Sequence, residues 1–394
     1  MSGGRPLEGL LVLDMAQFLA GPMAALKLAD LGARVIKIER PGTGDIGRTL
    51  YLSDTRIGGD STLFHAINRN KQSFAADLKD PADLAEVEAL IARADVVIQN
   101  FRPGIAERLG IGRAALRARH PRLIHASISG YGEEGPLARL PGQDLLAQAL
   151  SGVMWLNGSA GDGPVPVGLS IADMLAGHAL LEGILAALVR RGITGEGAAV
   201  ETSLLEAIVD FQFEVLTTHL NDDGRPPQRA AVNNAHAYLA APYGVYATAD
   251  GHLALAMTPL DKLARLIDLP ALAAVTDGFA ERDAVKGLIA ARLAERTTEQ
   301  WMAALRAEDV WCAPVQDWPV LMASEAFQRL DMLRTVARDG ASLVTTASPI
   351  RIDGERGGSA AAAPAVGADT AALRAEFGLD PALSAPPPRP GAFD

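Results

Sequence analysis

Cysteine is almost missing from this 394-residue chain, where Cys312 stands alone. A single thiol excludes an internal disulfide and a metal site built from cysteines. The histidines offer no substitute, because His125, His178, His236 and His252 show no metal-ligand spacing. Positive charge is in deficit: 36 Lys and Arg against 47 Asp and Glu leave a net charge of −11. That balance disfavours nucleic acid as a partner. No apolar run reads as long enough to span a membrane, and Met1-Ser-Gly-Gly-Arg-Pro6 lacks the apolar core of a signal peptide. A soluble, cytoplasmic protein is therefore expected, and the sequon Asn157-Gly-Ser159 carries no meaning in it. Neither a G-x-x-x-x-G-K-[ST] phosphate loop nor a G-x-S-x-G nucleophile turn occurs.

What is present reads as globular. Hydrophobic residues make up 49% and charged residues 21%. The length exceeds what one ordinary core organises, so two domains are expected.

The first 130 residues alternate strand and helix. Leu10–Asp14, Arg34–Glu39, Phe74–Leu78, Asp95–Gln99 and Leu123–Ser127 read as strands. Pro22–Leu31 and Pro81–Ala94 have helical spacing, the first closed by Gly32 and the second opened by proline. The series predicts an α/β fold with a doubly wound parallel sheet. Gly42-Thr-Gly-Asp-Ile-Gly47 spells G-x-G-x-x-G, but it follows the second strand and opens no helix pattern through Thr55. It does not predict a dinucleotide site.

Farther on, Leu145–Val153 and Ile171–Arg190 are helical, and residues 144–219 read as mostly helix. Residues 221–229 form a linker, and Tyr243–Ala256 a hairpin turning at Asp250-Gly251. Helices run to about residue 329, while 357–366 and 385–390 are Ala/Pro-rich coil. Trp155, Trp301, Trp311 and Trp318 belong to core or interface. Asp173 lies where a Gly/Pro-rich stretch meets the helix, close to N–H groups that favour an anion. On position alone it is a helix cap or first-turn aspartate.

Its company changes that reading. The ordered runs are Ala20-Gly-Pro22, Leu31 to Gly42, Asn68-Arg-Asn-Lys71, Asp77-Leu-Lys79, Asn100-Phe-Arg-Pro-Gly104 and Arg108-Leu-Gly110. Ser129-Gly-Tyr-Gly132, Gly135-Pro136, Pro141-Gly-Gln-Asp144, Ser151-Gly152, Asp173, Gly195-Glu-Gly197 and Tyr246 to Gly251 follow. Each run is short, but the series, in this order, resembles the class III CoA-transferases. A tail signature is matched only in part at Pro364-Ala-Val-Gly367, with Ala-Asp369 where an acidic-His pair is usual.

The resemblance implies a large CoA-binding domain over 1–219, a smaller α+β domain over 220–329, and a return segment over 330–394 that completes the first. It also implies an interlocked homodimer and transfer of CoA between an acyl-CoA and a small carboxylic acid. CoA is then a substrate and no cofactor is needed. Asp173 becomes the catalytic carboxylate. Arg40, Lys79, Arg102 and Arg108 become candidates for the CoA phosphates, with Asn100, Phe101 and Gln143 beside the rest of the molecule. Lys71 suits a surface role equally well, and Tyr131 either lines the CoA channel or packs in its turn. A glutamine usual before Ala-Gly-Pro is Leu19 here, with Gln17 two residues earlier.

Two rival readings remain. A 2-methylacyl-CoA racemase of the same fold needs a second base, where this chain has Gln143, whose carboxamide has no accessible pKa. A non-catalytic CoA-binding protein would have no use for Asp173. Asn233, Asn234 and His236 offer donors for a second carboxylate, which points to a small dicarboxylic acceptor.

Overall fold

The structure, a computed structural model, describes residues 5–50, 56–338, 341–358 and 360–379. By packing, the chain divides into two units. The first contains residues 1–147, 171–207 and 330–394, and the second 148–170 and 208–329. The boundary expected at residue 219 thus falls elsewhere. Residues 148–170 are tied to the later segment by hydrogen bonds from Gln212 Nε2 to Ser151 O, Ala160 N to Ala230 O and Asn234 Nδ2 to Gly158 O.

The first unit is built on β1 (Leu11–Asp14), α1 (Ala20–Asp30), β2 (Arg34–Glu39), β3 (Lys71–Ala75), α2 (Pro81–Ile91) and β4 (Val96–Gln99). It continues through α3 (Arg113–Arg119), β5 (Ile124–Ser129), the first residues of α4 (Asp144–Ser151, which passes into the second unit after Ala147), α5 (Ile171–Thr194) and β6 (Ala198–Ser203). All six strands run parallel in the order β3-β2-β1-β4-β5-β6. The order reverses between β1 and β4, as in a doubly wound sheet, and the crevice beyond the carboxyl ends of those two strands is where such sheets hold ligands. Leu13, Ile36, Phe74, Val97 and Ile98 are fully enclosed. Each such side chain contributes about 1.5–3 kcal/mol relative to an exposed position.

Two elements depart from the sequence reading. β3 opens at Lys71, three residues before Phe74, because Lys71 is drawn into the interior. Its ammonium donates to Asp14 Oδ2, Pro22 O and Asn68 Oδ1, each at 2.8 Å, so the surface role fails. β6, inside a stretch read as helical, completes the sheet beside β5. Its burial alternates too weakly to announce a strand.

The Gly42–Gly47 segment forms a turn ending in a short 3₁₀ helix, Ile46–Thr49, capped by Asp45; residues 51–55 lie outside the described residues. The sequence showed no membrane-length run, yet the 24-residue α5 is long and apolar enough by composition to cross a bilayer. Here Ala176, Leu180, Ile184 and Ala187 are buried, and the helix packs on α1, β5 and β6, the arrangement of a core helix.

The later residues of the first unit add an antiparallel hairpin, β10 (Leu333–Arg338) and β11 (Ala341–Thr346), and a helix at Thr370–Phe377. Asp369 and Thr370 accept the main-chain N–H groups of Ser73 and Ala75, which fastens that helix to β3. Residues 385–390 lie outside the described residues.

The second unit has α6 (Phe213–Leu220), then strands β7 (Gly244–Ala247), β8 (His252–Leu255) and β9 (Cys312–Pro314), antiparallel in the order β9-β8-β7. The hairpin is the one expected, turning at Asp250-Gly251. Helices α7 (Leu260–Leu266), α8 (Arg282–Leu293) and α9 (Thr298–Arg306) cover it. Trp301 is fully buried in this core, its indole N–H donating to Leu293 O, whereas Trp155, Trp311 and Trp318 are exposed in the single chain.

Candidate active site

Asp173 occupies the first turn of α5, but it does not cap the helix. Asp144 does so from 28 residues upstream, its Oδ1 accepting Ala172 N at 2.7 Å and Asp173 N at 3.4 Å. Among the described residues the Asp173 carboxyl accepts no hydrogen bond, and it faces a cavity of about 310 Å³. Burial pushes its pKa up to about 7, and the neighbouring Asp144 charge adds to the rise. These effects outweigh the helix terminus, which favours the ionised form. A carboxylate so placed is weakly solvated and about half ionised at pH 7, which suits a nucleophile or base.

The walls of that cavity come from the carboxyl ends of the sheet strands. Gln17 and Phe18 follow β1, Asn100 and Arg102 follow β4, and Ser129 closes β5. Gly130 and Gly142 complete it where two main-chain segments touch. A Cβ on Gly130 would lie 2.6 Å from Gly142 Cα, and one on Gly142 2.5 Å from Gly130 Cα. Tyr131 braces the same contact, its hydroxyl donating to Pro141 O at 3.0 Å, and it does not line the cavity. Gly177 lets α5 approach α1, since a Cβ there would meet Ala20 O at 2.7 Å.

A second cavity, about 360 Å³, adjoins the first and shares Gln17 and Phe101 with it. Arg40, Lys79 and Arg108 stand around it over an apolar floor that includes Met15, Leu78 and Leu109. The residues named from sequence therefore sort into two places. Arg40, Lys79 and Arg108 gather in the second cavity, Asn100 and Arg102 join Asp173 in the first, and Phe101 belongs to both.

Gln143 does not join them. It is exposed at the start of α4, lines neither cavity, and its carbonyl accepts Ala147 N. The Gly130–Gly142 contact holds the preceding residue against the cavity wall, and it is the following Asp144 that reaches α5. Asn100 is committed as well: its Oδ1 accepts Gln17 N and its Nδ2 donates to Gln17 O, so it positions the chain after β1. Sequence reasoning missed Asp144, Gln17 and Phe18 as site residues. Asp144 ends a recognised run, but no local signal announces a cap delivered across 28 positions. Leu19, at the N-terminal boundary of α1, offers no side-chain cap and lines neither cavity.

Within the second unit, Asn234 spends both ends of its amide on the main chain, accepting Ala230 N and donating to Gly158 O. His236 Nδ1 accepts Tyr238 N, and its Nε2 lies 3.5 Å from Glu214. Asn234 is thus committed to its own loop, while His236 Nε2 is buried without a hydrogen-bond partner among the described residues. His125 is buried, with no hydrogen bond to either ring nitrogen, and burial pushes its pKa down to about 4, which leaves it neutral. No group of three or more potential metal ligands occurs among the described residues.

Comparison with known proteins shows the family and the fold. The profile of CoA-transferase family III matches residues 7–370. The chain is 34% identical to the acetyl-CoA:oxalate CoA-transferase of Acetobacter aceti, over 94% of this chain and 96% of that one. It is 32% identical to the succinyl-CoA:glutarate CoA-transferase of Mus musculus, over 79% and 72%. Among solved structures, a CAIB/BAIF family protein of Brucella suis superposes with a TM-score of 0.81 at 30% identity, covering 95% of this chain and all of that one. The Mycobacterium tuberculosis protein Rv3272, crystallised as an Asp-to-Ala variant, gives 0.81 at 30% identity, covering 93% and 98%.

Proposed function

The chain belongs to CoA-transferase family III, and from that premise we propose that it moves coenzyme A between an acyl-CoA and a small carboxylic acid through Asp173. One observation carries the reading. A carboxylate of raised pKa faces a cavity whose neighbour is ringed by Arg40, Lys79 and Arg108. That pairing fits a ligand with phosphates at one end and a thioester at the other.

In the proposed sequence the Asp173 carboxylate attacks the donor thioester carbonyl and expels CoA thiolate, which leaves a mixed anhydride on the enzyme. The thiolate then attacks the aspartyl carbonyl of that anhydride, which releases the donor acid and forms an aspartyl-CoA thioester. The acceptor carboxylate attacks this thioester, and the returning thiolate attacks the acceptor's carbonyl, which frees Asp173. Covalent catalysis of this kind divides one difficult acyl exchange into easier steps. Main-chain N–H groups near Gly130 and Gly142 are the proposed donors to the tetrahedral oxyanions.

The acceptor is proposed to be a short dicarboxylic acid. Support comes from the relatives named for oxalate and glutarate, and from the small volume beside Asp173. The racemase reading gains nothing, since the one residue offered for a second base, Gln143, is a carboxamide outside the cavity.

The working form is proposed to be an interlocked homodimer. Phe213 and Leu220 on α6 and Ile193 on α5 are 69%, 70% and 81% exposed in the single chain, and such surface calls for a partner. Incubation with acetyl-CoA or succinyl-CoA and a panel of mono- and dicarboxylic acids tests the function. A new acyl-CoA appearing only with intact Asp173 supports it; no exchange with any acid defeats it.

A further inference from the structure

The segment Met15–Pro22 forms part of the wall around Asp173, and side chains from elsewhere in the first unit hold its main chain. Asp14 Oδ1 accepts Ala16 N at 3.0 Å, and Lys37 Nζ donates to Ala16 O at 2.8 Å. Asp45 Oδ1 accepts Phe18 N at 3.2 Å. Lys71 Nζ donates to Pro22 O at 2.8 Å. The four charged groups also pair with one another: Lys37 with Asp45 at 2.8 Å, and Lys71 with Asp14 at 2.8 Å. All four are buried.

We propose that Lys37 and Lys71 are positioning residues: each grips one carbonyl of the Met15–Pro22 segment while pairing with a carboxylate that grips an N–H of the same segment, and together they set that wall against Asp173. This rests on the transferase reading above.

Two features separate this role from plain stabilisation. Buried ion pairs are weak contributors to stability, because withdrawing both charges from water offsets most of their attraction. Two ammonium groups aimed at one eight-residue segment therefore act on its geometry. The segment also contains Phe18 at φ 65°, a left-handed conformation that a bulky side chain rarely adopts and that persists only when its surroundings hold it. Phe18 is 43% exposed and lines the Asp173 cavity, so packing alone does not hold it.

The test removes charge without leaving a buried ion unpaired. The double variant Asp14→Asn/Lys71→Met keeps an acceptor for Ala16 N and loses the grip on Pro22. The control is Asp30→Asn/Arg69→Met, an equally buried pair whose mutual hydrogen bonds lie outside the segment. Thermal melting, acyl exchange and hydrogen exchange of peptides spanning residues 15–22 are measured on both. The first variant is expected to lose about tenfold or more in kcat with a much smaller change in acyl-CoA KM. Its 15–22 peptides should exchange faster, while the control with a similar melting shift shows neither effect. Wild-type kcat and unchanged exchange in the first variant overturn the proposal, as does an equal kcat loss in the control. If wild type transfers CoA to no acid, the transferase reading fails on its own. The hydrogen-exchange comparison then still decides whether the lysines hold the segment.

Discussion

Asp144 caps the helix that carries Asp173 and at the same time raises the pKa of that carboxyl. Its Oδ1 accepts the N–H groups of Ala172 and Asp173, and its negative charge adds to the effect of burial. One side chain thus fixes the orientation of the reactive turn and makes its aspartate harder to ionise.

Replacing Asp173 by alanine is expected to remove thioester exchange, while CoA still binds and the chain still folds. Wild type given acyl-CoA should carry a hydroxylamine-sensitive adduct on this residue, detectable by peptide mass spectrometry. Near-normal turnover in the variant would sink the covalent mechanism.

The pH profile follows from the raised pKa of about 7. The ionised form is the nucleophile, so kcat/KM should rise about tenfold per pH unit below 7 and level off above it. Asp144→Asn keeps the cap and removes the charge, so the acid limb should move to lower pH. A limb that stays in place would show that Asp144 does not tune its neighbour.

The same shift has a stability consequence. A carboxyl whose folded pKa lies above its unfolded value near 3.8 favours folding when protonated, and this advantage is lost as pH rises through 7. Asp173→Asn should therefore stabilise the inactive protein at pH 8, by up to about 4 kcal/mol. The gain should fade to almost nothing by pH 4. Equal melting temperatures of variant and wild type at pH 8 would contradict the buried charge.

Gly142→Ala places a methyl against Gly130 Cα at 2.5 Å. The strain should cost about 1–3 kcal/mol of stability. Displacement of the cavity wall should lower kcat/KM about tenfold or more. Ala at Gly161, where the added methyl meets nothing within 4 Å, serves as the control.

Arg40→Ala, Lys79→Ala and Arg108→Ala should each raise KM for acyl-CoA by about tenfold, roughly one charge-assisted phosphate contact. The acceptor KM should change little. If titration calorimetry shows unchanged CoA affinity in all three, the second cavity is not the phosphate end.

The alternation of apolar strand and helix made five strands of the sheet legible in the sequence, because strand and helix periods are local properties of the chain. Arg40, Lys79 and Arg108 could be named only through the family resemblance that the short runs carry, since no local period marks a phosphate contact. β6 escaped because the burial of its residues, from Ala198 to Ser203, follows no period of two. Gln143 and Asp144 show where such reading stops. They are adjacent in the run Pro141–Asp144, yet one faces solvent and the other caps a distant helix, and no periodicity tells them apart.

By itself the sequence determined the first five strands of the sheet, the parallel α/β class of the first unit, the hairpin of the second, and the placing of Asp173 at a helix start. These depend on spacing, turn chemistry and apolar pattern within a few residues. Only the tertiary structure decided that Lys71 lies buried among Asp14, Asn68 and Pro22, that Asn100 and Asn234 serve their own main chains, and that Asp144 rather than Asp173 caps α5. Each of those outcomes is a contact between groups brought together by packing, and whether a charge is solvated, paired or left facing a cavity is settled by what packs around it.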